Sequence, residues 1–212
     1  MKGLVVILVG VAVFLGGIAA HAQELAYARI KTSLGDIDLA LEAERAPVST
    51  ENFLDYATSG FYDRLIVHRV VRDRLFQGGG YNAAGYPRAS KPPIVNEASN
   101  DLRNERGTIA MARQADPDSA DSQWFINLRD NEELDRSGEL RAQAGYAVFG
   151  HVVAGMEVAD AIGAVATGPG PADSAFAEDF PVEPVLIYRI DAITEAEVGA
   201  TQDVGAAAAA SQ

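Results

Sequence analysis

The chain has 212 residues, 48% hydrophobic and 22% charged, which suits one globular domain with a true core and processed ends. Its formal net charge of -13 argues against nucleic acid or an anionic membrane surface as a partner. It has no cysteine, so disulfides, thiolate metal sites and Cys nucleophiles are excluded.

The N-terminus reads as an export signal. Lys2 gives a positive start, Leu4 to Ile18 is apolar, and Ala20-His21-Ala22 is a small-x-small cleavage site before Gln23. An uncleaved anchor is the alternative, since Leu4 to Ala20 is nearly long enough to span a bilayer. Tyr27 to Thr32 and Asp36 to Leu41 alternate polar and apolar residues on either side of Ser33-Leu34-Gly35, which predicts a β-hairpin. Pro47 to Thr58 predicts a helix: Pro47 fits its first turn, Phe53, Leu54 and Ala57 recur at helical spacing, and Gly60 follows as a stop.

The stretch from Tyr62 to Gly80 organises the rest. Leu65, Val67 and Val71 read as strand residues, but His68, Arg69 and Gln77 interrupt the apolar run. Gly78 to Gly80 then let the backbone turn sharply or approach a neighbour closely. Such a strand suits a site that holds a polar backbone, such as a peptide; a solvated edge strand has the same pattern.

Tyr81 to Asn100, with Gly85, Pro87, Pro92 and Pro93, predicts a long loop, and Gly107 to Ala112 and Ser122 to Asn127 predict short strands. Between those strands Asp116, Asp118 and Asp121 have a loosely calcium-like spacing, without the central glycine and terminal glutamate of such a loop, so no metal is expected. Ala147 to Val153 predicts a strand, Gly155 to Ala164 a second helix and Pro184 to Ile193 a last strand. The domain is expected to span residues 23–195, and the alanine-rich tail, residues 196–212, to be disordered. Many short strands with two helices point to a closed β structure.

Several chemistries are absent from the pattern. There is no Gly-x-Ser-x-Gly elbow, and no Lys-Ser/Thr follows the glycine run. Only His68 and His151 remain after signal removal, too few for a recognisable zinc set. Trp124 reads as core.

Five segments nevertheless form a constellation: Val67-His68-Arg69-Val70, Gln77 to Gly80, Arg106 to Ala112, Asp118 to Asn127 and Tyr146 to Gly150. Together, in this order, they resemble the cyclophilins, the peptidyl-prolyl cis-trans isomerases, and most of all the bacterial periplasmic branch. The resemblance runs from about Ala28 to Ile193. It implies an eight-stranded closed antiparallel β-barrel capped by two short helices, a periplasmic location, and a monomer acting on proline-containing polypeptides without metal or cofactor. It implies that Arg69 and Gln77 are catalytic, that Gln123 joins Gln77 in holding substrate backbone, and that Phe125, Leu75, Leu134 and Tyr146 line an apolar proline pocket. Ala112 and Arg113 would line the groove for the residues before proline.

The chain departs from the family in one place above all. Where the family has Pro-Gly-Phe-Met, this sequence has Arg72-Asp73-Arg74-Leu75. Arg74 thus replaces a pocket phenylalanine; its stem could cover the proline ring while its head reaches water. Glu133 stands where many eukaryotic members carry a tryptophan that contacts cyclosporin, and Tyr146 where they have histidine. Weaker turnover or a shifted preference is expected, as is poor cyclosporin sensitivity. A peptide-binding or chaperone module on the same fold is the alternative.

Overall fold

The period-two alternation at the start of the chain produces the expected hairpin. Strand β1, Ala26–Thr32, pairs with β2, Gly35–Leu41, in continuous register. The computed structural model describes residues 25–171 and 178–200, so the expected signal and the tail from residue 201 lie outside the described residues. The chain continues through α1, Pro47–Thr58, β3, Leu65–Val71, β4, Leu75–Asn82, β5, Thr108–Met111, and β6, Trp124–Asn127. It then forms β7, Val148–Ala154, α2, Met156–Gly163, the two-residue strands β8, Thr167–Gly168, and β9, Phe180–Pro181, and finally β10, Val185–Ile193.

Eight of these strands close a barrel in the order β1-β10-β3-β4-β6-β5-β7-β2, each neighbour antiparallel. Closure leaves no free sheet edge in the barrel. Helix α1 carries Pro47 at its start as expected, but its N-cap residue, Ala46, has no side-chain acceptor. The long loop supplies one: the Glu97 carboxylate accepts hydrogen bonds from the backbone N–H of Val48 and Ser49 at 3.0 and 2.8 Å. Free N–H groups and the positive end of the helix dipole both favour a carboxylate there. Phe53 on α1 packs into the barrel against Phe149, Tyr62 and Trp124.

Alternation along the middle strands divides their side chains between two cores. Phe76, Ile109, Met111, Trp124 and Ile126 point into the main core, whereas Leu75, Ala110, Ala112, Phe125 and Val148 form a smaller apolar cluster, with Val71, Leu102, Leu134 and Tyr146 packed on it. Successive strand residues face opposite sides, so the second cluster lies on the outer wall of the barrel. The glycines after Gln77 serve close packing. A Cβ on Gly78 would come within 3.1 Å of the Trp124 ring, and one on Gly80 within 2.7 Å of the Gln123 side chain.

The described chain runs past residue 195 in an ordered form. Arg29 makes a two-pronged ion pair with Asp38, at 2.6 and 2.8 Å, both side chains being buried. Arg29 also donates to the Glu197 carbonyl, and the Gly199 N–H donates to Asp38. Glu197 and Gly199, at the start of the alanine-rich tail, are thus hydrogen-bonded to the Arg29–Asp38 pair, contacts that their sequence surroundings do not reveal.

Candidate functional site

Cross-strand register aligns the site. Arg69 on β3 sits opposite Gln77 on β4, Gln77 opposite Phe125 on β6, Phe125 opposite Ala110 on β5, and Ala110 opposite Val148 on β7. One row across five strands thus runs from a guanidinium through an amide to an apolar floor. Gln77 donates from Nε2 to Gln123 Oε1 at 2.9 Å, which fixes the two amides side by side next to the arginine. Arg69, Gln77, Ala112, Arg113 and Gln123 line a polar cavity of about 310 Å³, closed at its far side by Tyr81, Ser119 and Asp121.

The apolar part adjoins it. Phe125 and Leu75 are buried, and Leu134 and Tyr146 pack over them, with the Phe125 and Tyr146 rings edge to face at 5.6 Å between centroids. Arg113 lies along this wall: its guanidinium stacks 4.5 Å above the Tyr146 ring while Nε donates to the Gly145 carbonyl at 2.8 Å. A proline ring needs such an aliphatic and aromatic enclosure, and the amides beside it offer donors and acceptors for flanking peptide groups. Nine of the ten residues singled out in the sequence line this cavity or the apolar cluster beside it; Arg74 is in neither.

Arg74 behaves differently from the sequence expectation. Its head does not simply reach water; it forms an ion pair with Glu133 at 3.1 Å, and Glu133 also faces Arg129 at 3.4 Å. Two of the departures from the family pattern, Arg74 and Glu133, are thus in contact with each other.

Sequence reasoning missed the supports of the site. Asn104, Asn127 and Asn131 are buried and joined by hydrogen bonds: Asn131 Nδ2 donates to Asn127 Oδ1 and to the Arg74 carbonyl, and Asn127 Nδ2 donates to Asn104 Oδ1. The Leu134 N–H donates to the Asn131 carbonyl and the Tyr146 N–H to the Leu134 carbonyl, so this network sets two pocket walls. Asp179, just before β9, was missed as well; its carboxylate faces Arg69 at 3.5 Å. No local spacing marks any of these residues. His68, beside Arg69, is buried against Tyr81, and burial holds its imidazole down to about 3.

Comparisons with known proteins agree with this geometry. Residues 27–192 match the family described as cyclophilin type peptidyl-prolyl cis-trans isomerase/CLD. The chain is 49% identical to peptidyl-prolyl cis-trans isomerase A of Dickeya dadantii over 74% of its own length and 80% of that protein. It is 44% identical to a peptidyl-prolyl cis-trans isomerase of Acinetobacter baylyi, over 85% and 93%. Among solved structures, a cyclophilin-type isomerase of Cryptosporidium parvum, crystallised in the presence of the dipeptide Ala-Pro, superposes with a TM-score of 0.65 at 24% identity, covering 80% of this chain and 99% of that one. The chain belongs to the cyclophilin-type peptidyl-prolyl cis-trans isomerases.

Proposed function

We propose that this isomerase acts on Xaa-Pro bonds of exported polypeptides in the periplasm, as a monomer, and assists their folding after residues 1–22 are removed. The observation that carries the site assignment is the row Arg69, Gln77, Phe125 across three adjacent strands. The signal-like N-terminus supports the location.

The chemistry asked of the site is rotation. Amide resonance sets a barrier of about 18–20 kcal/mol for the Xaa-Pro bond. Lowering it takes no nucleophile and no proton relay. The proline ring must be held while the preceding carbonyl swings, and the nitrogen must be favoured in its pyramidal, non-conjugated form. Phe125, Leu75, Leu134 and Tyr146 hold the ring; Gln77 and Gln123 hold flanking peptide groups; Ala112 and Arg113 border the approach of the residues before proline. Arg69, charged at every relevant pH, donates hydrogen bonds that strengthen as the bond twists.

The test is the cis-to-trans rate of an Ala-Pro peptide with the chain from Gln23 onward, beside its Arg69→Ala variant. The expected result is strong acceleration that falls by about 100-fold or more in the variant. No acceleration by the folded wild type, with peptide still bound, moves the function to peptide holding. Protein isolated from the periplasm should begin at Gln23; an intact Met1 overturns the cleavage reading in favour of the uncleaved anchor, and absence of the protein from that compartment overturns export.

A further inference from the structure

The contact between Arg74 and Glu133 falls at an informative place. Arg74 directly precedes Leu75, one wall of the apolar pocket, and Glu133 directly precedes Leu134, the wall packed over the same cluster. Their 3.1 Å ion pair therefore spans the rim between the two walls. Arg129 stands beside it, 3.4 Å from the same Glu133 oxygen, with its own Nε donating to Asn131.

Position along the groove tells which part of a substrate meets this rim. The polar cavity with Arg69, Gln77, Gln123, Ala112 and Arg113 adjoins the pocket, and the cyclophilin resemblance assigns Ala112 and Arg113 to the residues before proline. Arg74 is the turn residue directly before β4, so along the chain Leu75 stands between Arg74 and Gln77, and Arg74 lies beyond Leu75 from that cavity. A peptide that enters over Arg113 and seats its proline on Phe125 leaves past Arg74, Glu133 and Arg129.

Charge then gives a direction. Two guanidinium groups share one carboxylate, leaving an excess of one positive charge at the exit. Among the described residues, no ion pair joins these guanidinium groups to the carboxylates adjacent in sequence: Asp130 accepts from the Arg106 backbone N–H at 2.8 Å, Glu132 borders a separate cavity with Arg103 and Arg136, and Asp73 is exposed. We propose that the Arg74–Glu133–Arg129 cluster reads the residue that follows proline and favours an acidic side chain there over a basic one. A substrate carboxylate pairs with the guanidinium groups that Glu133 now bridges, whereas a substrate ammonium meets like charge. This selectivity rests on the isomerase reading above and deepens it.

The experiment measures kcat/KM for three peptides, Ala-Ala-Pro followed by Glu, Gln or Lys, by NMR exchange at low and high salt. Because the groups are exposed, the expected preference for Glu over Lys is about two- to fivefold at low salt, shrinking at high salt. Glu133→Gln should widen the ratio by freeing both arginines, and the double variant Arg74→Gln, Arg129→Gln should bring it to one or invert it. Equal acceleration of all three peptides by the wild type, or a ratio unmoved by the double variant, overturns the inference and leaves the isomerase standing. Acceleration of none of them overturns both.

Discussion

Arg69 Nε lies 3.5 Å from Asp179 Oδ2, and the Asp179 carbonyl accepts from the Val70 N–H at 2.8 Å. The segment before β9 is thereby fixed to β3 at the residue next to the arginine, with Asp179 in the left-handed region at φ 63°. Engaging Nε leaves the two terminal nitrogens of the guanidinium for the substrate. Asp179 is thus a positioning residue. Asp179→Ala should lower kcat/KM by about fivefold, in kcat more than in KM, because an exposed ion pair is worth up to about 1 kcal/mol. Stability by urea denaturation should fall by no more than about 1 kcal/mol. An unchanged kcat refutes the role.

Arg74→Phe should raise turnover on Ala-Pro peptides several-fold. The change restores an aromatic wall beside Leu75 and removes Arg74 Nε, a buried donor without a hydrogen-bond partner among the described residues. Such a donor costs about 1–3 kcal/mol, so stability should hold or rise despite the lost ion pair. Unaltered steady-state rates would mean that the pocket does not lack that wall.

Asn131→Ala should destabilise the protein by about 2–3 kcal/mol and raise KM. It removes the Asn131 donor from buried Asn127 Oδ1 and one of two donors from the Arg74 carbonyl, which keeps the Leu128 N–H, and it loosens the turn that presents Leu134. Urea denaturation and peptide titration read the two effects separately. Lost stability with an unchanged KM would confine the network to folding.

Stability should fall as pH drops below about 6.5. Burial is the largest cause holding His68 down to about 3 when folded, and the adjacent Arg69 charge acts in the same direction, whereas the unfolded imidazole titrates near 6.5. Between those values the unfolded chain binds the extra proton. The stabilisation is complete above pH 6.5 and is lost on acidification at up to about 1.4 kcal/mol per pH unit. Urea unfolding at pH 7.5 and pH 5.5 should show this loss, and His68→Gln should flatten it. An equally steep loss in that variant would assign the dependence to other groups.

The sequence by itself determined most of the wall and named the side chains that line it. Alternation marked the β1–β2 hairpin, and Pro47 and the apolar spacing marked α1, because these are local properties that backbone geometry converts directly into elements; the apolar run with Arg69 and Gln77 read as one strand, whereas the turn at 72–74 divides it into β3 and β4. The resemblance to cyclophilins then supplied the barrel and the roles expected of Arg69, Gln77 and Phe125. Tertiary structure alone decided the partners. Register brought Arg69, Gln77 and Phe125 into one row; chain return brought Asp179 to Arg69 and Glu97 to the start of α1; packing turned Arg74 onto Glu133. Each of these contacts except the Arg69–Gln77 pairing of adjacent strands joins residues dozens of positions apart. An Asp, Glu or Asn side chain looks the same in sequence whether it meets water or a distant guanidinium, so only closure of the barrel could choose between them.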